Sequence, residues 1–116
     1  MAYKLQDTAQ EGSSYVVKVQ FFERDVETLV LTPITPNPGL VWSLKSPGGS
    51  IVNYRDRVPL TPAPAVIIAL STNDLLLSAS YPEWRIIEIV GTYDSVYGTG
   101  LGIRVQALLK IENLVG

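Results

Sequence analysis

The chain has 116 residues and a mass of 12.7 kDa, the size of one domain with a single continuous core. Hydrophobic residues make up 47% and charged residues 17%, which excludes disorder, and a net charge of −2 gives no basic footprint for nucleic acid or an anionic membrane. Histidine and cysteine are both absent, so disulfides, His/Cys zinc sites, thiol nucleophiles and Ser-His-Asp triads are excluded within this chain.

Residues 1–14 read as a polar amino-terminal arm, with Lys4, Gln6, Asp7, Gln10 and Glu11 scattered through it. No signal peptide is expected, because the arm lacks an apolar run of about 7–15 residues. The remaining chain, 15–116, is expected to be one domain, and period-two alternation dominates it. Over 15–22, Tyr15, Val17, Val19 and Phe21 share one face while Lys18 and Gln20 lie on the other, which predicts a half-buried strand. A second strand is predicted over 27–32, where Leu29 and Leu31 alternate with Thr28, Val30 and Thr32. A third covers 40–45, with Trp42 and Leu44 opposite Ser43 and Lys45. Pro47, Gly48 and Gly49 turn the chain into a short fourth strand at 50–54.

The run 65–70 is β-branched and nearly all apolar, as in a strand buried on both faces. It belongs to the longest uncharged apolar stretch, 63–70, which is far short of the ~20 residues of a membrane-spanning helix. The one plausible helical turn is 72–77, capped by Asn73 or Asp74. Trp84, Ile86, Ile87, Ile89 and Val90 build a long strand over 83–93. The last strand, 103–111, sets Ile103, Val105, Ala107, Leu109 and Ile111 against Arg104, Gln106, Lys110 and Glu112, with Leu108 the exception. Seven strands without crossover helices predict an all-β chain folded as an antiparallel β-sandwich, with a closed barrel as the alternative. Trp42 is expected in its core, like the strand C tryptophan of immunoglobulin-like folds.

The segments 33–38 and 59–64 echo each other as Pro-x-Thr-Pro-x-Pro, each leading into an apolar strand. Duplication and independent loop chemistry both explain the match. Their P-x-x-P motif suits an SH3-type groove, but stiffening of inter-strand loops and protection of sheet edges is the ordinary reading. Residues 97–102 are glycine-rich, yet the glycines alternate, no lysine follows, and a strand rather than a helix comes next. A hairpin loop fits better than a phosphate cradle. Glu23, Asp25 and Glu27 alternate as calcium ligands would, but Arg24 sits among them and a solvated hairpin turn is expected. Asp56 lies between Arg55 and Arg57, and Asp94 beside Ser95 offers too few ligands for a metal. No catalytic residue, cofactor or metal site is expected.

The span Trp84-Arg-Ile-Ile-Glu-Ile-Val-Gly-Thr-Tyr93-Asp94-Ser, the glycine loop after it and the closing Lys110-Ile-Glu-Asn113-Leu-Val-Gly carry a likeness. They resemble small immunoglobulin-like proteins encoded among the virion genes of tailed bacteriophages and prophages. The likeness covers roughly the last 35 residues. It implies an immunoglobulin-like β-sandwich of about seven strands and a non-catalytic part of a capsid, neck, tail or baseplate, present in many copies. Partners would be other virion proteins or copies of the same chain, with no nucleic acid, no membrane and a location in the virion. Positive mean hydropathy in so lightly charged a domain agrees with surface hidden against partners. Contact residues are expected at the ends of the last two strands: Trp84, Tyr93, Asp94, Tyr97 and Leu101. The rival expectation is a carbohydrate-binding or adhesion module, which would display two or three exposed aromatics side by side.

Overall fold

The computed structural model describes residues 2–10, 13–76 and 83–112. Nine strands run through them: β1 (Ala2–Gln10), β2 (Tyr15–Gln20), β3 (Phe22–Arg24), β4 (Leu31–Pro33), β5 (Val41–Lys45), β6 (Val58–Pro59), β7 (Ala65–Leu70), β8 (Glu83–Ser95) and β9 (Gly98–Glu112). One sheet has the order β1-β9-β8-β5-β6, and β2-β7 and β3-β4 form two short pairs. Every pairing is antiparallel except β1 with β9. The fold is an all-β, sandwich-like arrangement whose buried residues come from both the β9-β8-β5 part of the large sheet and the β2-β7 pair.

The two layers meet in one core. Val17, Val66, Ile68 and Leu70 enter it from the small layer, and Trp42, Leu44, Ile87, Ile89 and Leu109 from the large one. Gly91 faces Leu40 so closely that a Cβ there would stand 2.6 Å from Leu40 Cδ1, and a larger residue would require the Leu40 side chain to shift. The β8–β9 hairpin is the spine of the molecule. At about 3.3 Å per residue, 15-residue β9 alone reaches roughly 50 Å, comparable to the 53 Å long axis.

The strand count exceeds seven because β1 and β6 lie outside the predicted strands and the first predicted strand is divided, while 50–54 is not a strand. Strand 15–22 breaks at Phe21, whose amide bonds Pro64 O (2.9 Å) while its carbonyl accepts from Ile34 N (3.1 Å). The chain then resumes as β3. Most of 27–32 is a turn, because Asp25 Oδ1 accepts the amides of Glu27 and Thr28, both at 2.9 Å, and strand pairing begins only at Leu31. Within the 1–14 arm, Ala2–Gln10 is a strand lying parallel to the end of β9. Segment 65–70 is a strand, but buried on one face only: Val66, Ile68 and Leu70 point inward while Ile67 is 64% exposed. A two-stranded layer has nothing above it to cover the outer face.

The predicted strand 50–54 is instead a turn with one bridge, Lys45 to Ile51. Asn53, Tyr54 and Arg57 hold left-handed backbone (φ 52°, 57° and 52°), which side chains other than glycine adopt at a cost. Asp74, fully buried at the 3₁₀ turn Thr72–Leu75, holds the loop through the residues on either side of Tyr54, and Ser43 Oγ accepts the Arg57 amide at 3.0 Å. The Asp74 carboxylate accepts from Asn53 Nδ2 (2.8 Å), Arg55 Nε (2.9 Å) and Nη2 (3.2 Å), Ser71 N (2.7 Å) and Ser71 Oγ (3.0 Å). The helical turn at 72–77 is therefore present in part, with Asp74 reaching back to Ser71 rather than capping as the first residue; residue 77 lies outside the described residues. Arg55 also lies 5.7 Å from the centroid of the buried Trp42 ring.

Burial alone raises the Asp74 pKa, yet the bonds from Arg55, Asn53 and Ser71 win, and the net shift is downward. Removing Arg55 leaves that carboxylate charged, buried and short of two bonds. Arg55→Met is expected to cost about 3–5 kcal/mol in urea unfolding. Asp74→Asn should cost less, because the Arg55 side chain is one-third exposed and can turn to water. The reverse ranking would show that the bonds of the carboxylate to Asn53 and Ser71 outweigh those to Arg55.

Candidate functional site

The β8–β9 hairpin ends in a turn at Val96 and Tyr97, between the paired Ser95 and Gly98. A register shift follows, so that Asp94 faces an extra residue of β9 near Gly100, which takes φ 65°. Asp94 Oδ1 closes this bulge by accepting from Gly100 N (2.7 Å) and from Asn37 Nδ2 (3.1 Å). Both bonds favour its ionised form and hold its pKa below the ordinary carboxylate value, Gly100 contributing most. Ser95 Oγ donates to Glu23 Oε2 (2.8 Å), and Tyr97 OH donates to Asp25 Oδ2 (3.2 Å). Burial and, after it, hydrogen bonding to Glu23 push the Tyr93 phenol above its ordinary value. The tip of the long hairpin is thus tied to the short β3–β4 hairpin.

Four of the five expected contact residues come together here. Tyr93 and Leu101 are cross-strand partners and half-buried, Asp94 fixes the bulge, and Tyr97 is 47% exposed at the turn. Trp84 is elsewhere. It lies eleven positions before Ser95, roughly 35 Å down β8, and nine residues from Tyr93 it faces the opposite side of the sheet. There it packs with Ile86, Leu108 and Pro47 in a shallow apolar depression of about 320 Å³. Leu108, which breaks the polar face of β9, is explained by this cluster, since Ile86 is its partner across the ladder. Trp84 and the tip tyrosines do not form one aromatic platform.

Glu23, Asp25 and Glu27 do not converge. Glu23 is bound to Ser95, Asp25 to its own turn, and among the described residues no three acidic side chains gather around a possible metal position. The carboxyl and hydroxyl groups at the tip are engaged with one another, an arrangement that fixes shape.

Two surfaces here are not evident in the alternation. The β3–β4 hairpin exposes Phe22, Val26, Leu29, Val30 and Leu31, at 45–72% each, beside Val96 at 94%. The sequence signal was the apolar character of a segment that turns. Below it, a groove of about 590 Å³ opens between β2 and the upper half of β9. Val19, Phe21, Ile34, Ile103, Val105 and Ala107 form its apolar floor.

On the outer face of the large sheet, Glu88 accepts from Gln106 Nε2 (2.9 Å), Lys45 Nζ (3.0 Å) and Arg104 Nη2 (3.1 Å). These bonds, Gln106 first, lower its pKa from 4.5 to about 2. A depressed carboxylate stabilises the fold above its unfolded pKa, and that contribution is lost as pH falls through the folded value. Glu88→Gln should therefore cost on the order of 2–3 kcal/mol at pH 7. The difference in Tm from the parent chain should shrink between about pH 4.5 and pH 2. A difference independent of pH would mean that the carboxylate charge contributes nothing. Comparison of the chain with protein-family models, with curated proteins and with solved structures finds no match.

Proposed function

We propose that this chain is a non-catalytic structural module that works through protein–protein contacts, and that it serves in a tailed-phage virion as a capsid decoration, neck, tail or baseplate accessory. The observation that carries the assembly reading is the apolar β3–β4 hairpin beside the tip of β8–β9. Val26, Leu29, Val30 and Leu31 are each more than half exposed, and they are neighbours on one short hairpin. A lone monomer rarely leaves such a group in water. At about 25 cal/mol per Å² of apolar surface, covering them supplies several kcal/mol toward association, and no reactive side chain is required.

The phage setting rests on the likeness of the carboxy-terminal segment, from Trp84 through Tyr93-Asp94-Ser95 to the closing Asn113-Leu114. Symmetric copies of the chain, or neighbouring virion proteins, are the partners that this setting supplies. Carbohydrate binding or cell-surface adhesion is the weaker alternative, because Trp84 and the tip tyrosines are separated along β8 and face different directions.

The test is absolute molar mass by light scattering over a hundredfold range of concentration, with purified particles of the source analysed by mass spectrometry. A stable multiple of 12.7 kDa is expected, reduced to the monomer by Val26→Asp with Val30→Asp, two exposed sites where folding should survive. The chain should also be found in the particles. A monomer at every concentration overturns self-association, and absence from the particles overturns the virion assignment.

A further inference from the structure

Within the sandwich, β2 pairs only with β7, and β1 covers β9 only from Gln106 onward. Both exposed strand edges border the 590 Å³ groove. The hydrogen bonds fix which backbone groups face it. Phe21 N bonds Pro64 O in continuation of the β2–β7 register, so the alternation of an antiparallel ladder turns Val16, Lys18 and Gln20 away from β7. Thr92 O accepts from Asn37 N, on the side away from β9, so its partner Gly102 likewise directs its amide and carbonyl outward. Among the described residues, no backbone bond engages the outward groups of Val16, Lys18 and Gln20.

We propose that this groove receives one extended strand of a partner protein, paired along β2, in which apolar residues alternate with acidic ones. The inference rests on the assembly reading above and specifies the chemistry of the partner. A strand added to β2 would point alternate side chains inward, onto Val19, Ile103, Val105 and Ala107, where only apolar groups match the lining. Its other side chains would lie outside, beside Lys18. Two cations, Lys18 and Arg24, border the groove and no carboxylate does, while the Arg104 guanidinium is held by Glu88 on the outer face of the large sheet. A second copy pairing through the same edge about its centre would set Lys18 against Lys18, an unfavourable cross-strand pair. An acidic strand turns that repulsion into attraction.

The probe is the blocked peptide acetyl-Glu-Val-Glu-Ile-Glu-Val-Glu-amide, compared with its counterpart carrying lysine in place of glutamate. Binding is read by fluorescence anisotropy and by NMR shifts and exchange protection of backbone amides. The acidic peptide is expected to bind at least about tenfold more tightly than the lysine peptide, to weaken with salt, and to protect Lys18 and Gln20. Lys18→Glu with Arg24→Glu, at two exposed positions, should reverse the preference. Equal binding of the two peptides, protection confined to other edges, or an unchanged preference in the double variant would overturn the proposal. Protection of the same amides by concentrated protein alone would identify a second copy as the occupant and overturn it too. If the chain still associates in the light-scattering experiment while no peptide enters the groove, the groove proposal falls and the assembly reading stands.

Discussion

The buried carboxylate of Asp74 organises one end of this sandwich. It lies on the connection between β7 and β8, and its ligands come from the loop that follows β5, so it joins parts of the chain that the sheet ladders do not connect directly. Its bonds to Asn53 and Arg55 hold the loop in which Asn53 and Tyr54 take left-handed backbone, a local cost of order 1–2 kcal/mol per residue. That cost is tolerable because the alternative is an unpaired charge in the core, which is several times worse. The loop in turn places Arg55 beside Trp42 and supplies a carbonyl to Leu44 N, so the pairing side of β5 is shaped by a residue nearly thirty positions away.

At the opposite end, shape follows from unequal strand lengths. β8 and β9 have 13 and 15 residues, whereas β2 and β7 have six each. The short layer cannot cover the long one, and the β3–β4 hairpin, tied to the tip by Glu23 and Asp25, closes only part of the difference. The groove between β2 and β9 is the remainder. The apolar surface at this end is thus a direct consequence of a long hairpin set over a short pair.

This division explains which features were legible in the sequence. The alternation of β2 and β9 was readable because each of these strands has one more covered and one more open face, and side chains obey a period of two. Trp42 could be placed in the core because it shares a face of its strand with Leu44. The continuous apolar run 65–70 misled: Ile67 is as hydrophobic as Ile68, and only the absence of a layer outside β7 leaves it in water. Asp74 could be proposed as a helix cap because that chemistry is local. Its bonds to Asn53 and Arg55 depend on a long-range approach that has no periodic signature. The placement of the expected contact residues was legible in part: Tyr93, Asp94, Tyr97 and Leu101 share a hairpin and so share a place, while grouping Trp84 with them overlooked the length and the two faces of β8. The groove was invisible because it is made by what fails to pair.

Edge chemistry distinguishes that groove from the borders at β4 and β6. β4 carries Pro33 and β6 carries Pro59, residues that cannot donate to a neighbouring ladder and so discourage addition of a strand. β2 contains no proline, and along its outward edge the only charged guard is Lys18. A lysine repels strands that bring another cation and admits strands that bring an acid, so it selects among partners where proline refuses all of them. The borders with proline terminate their sheets, whereas β2 leaves a free edge beside an apolar floor. An edge built this way couples the geometry of strand addition to a choice of charge, which gives a chain with so few reactive residues a means of specificity.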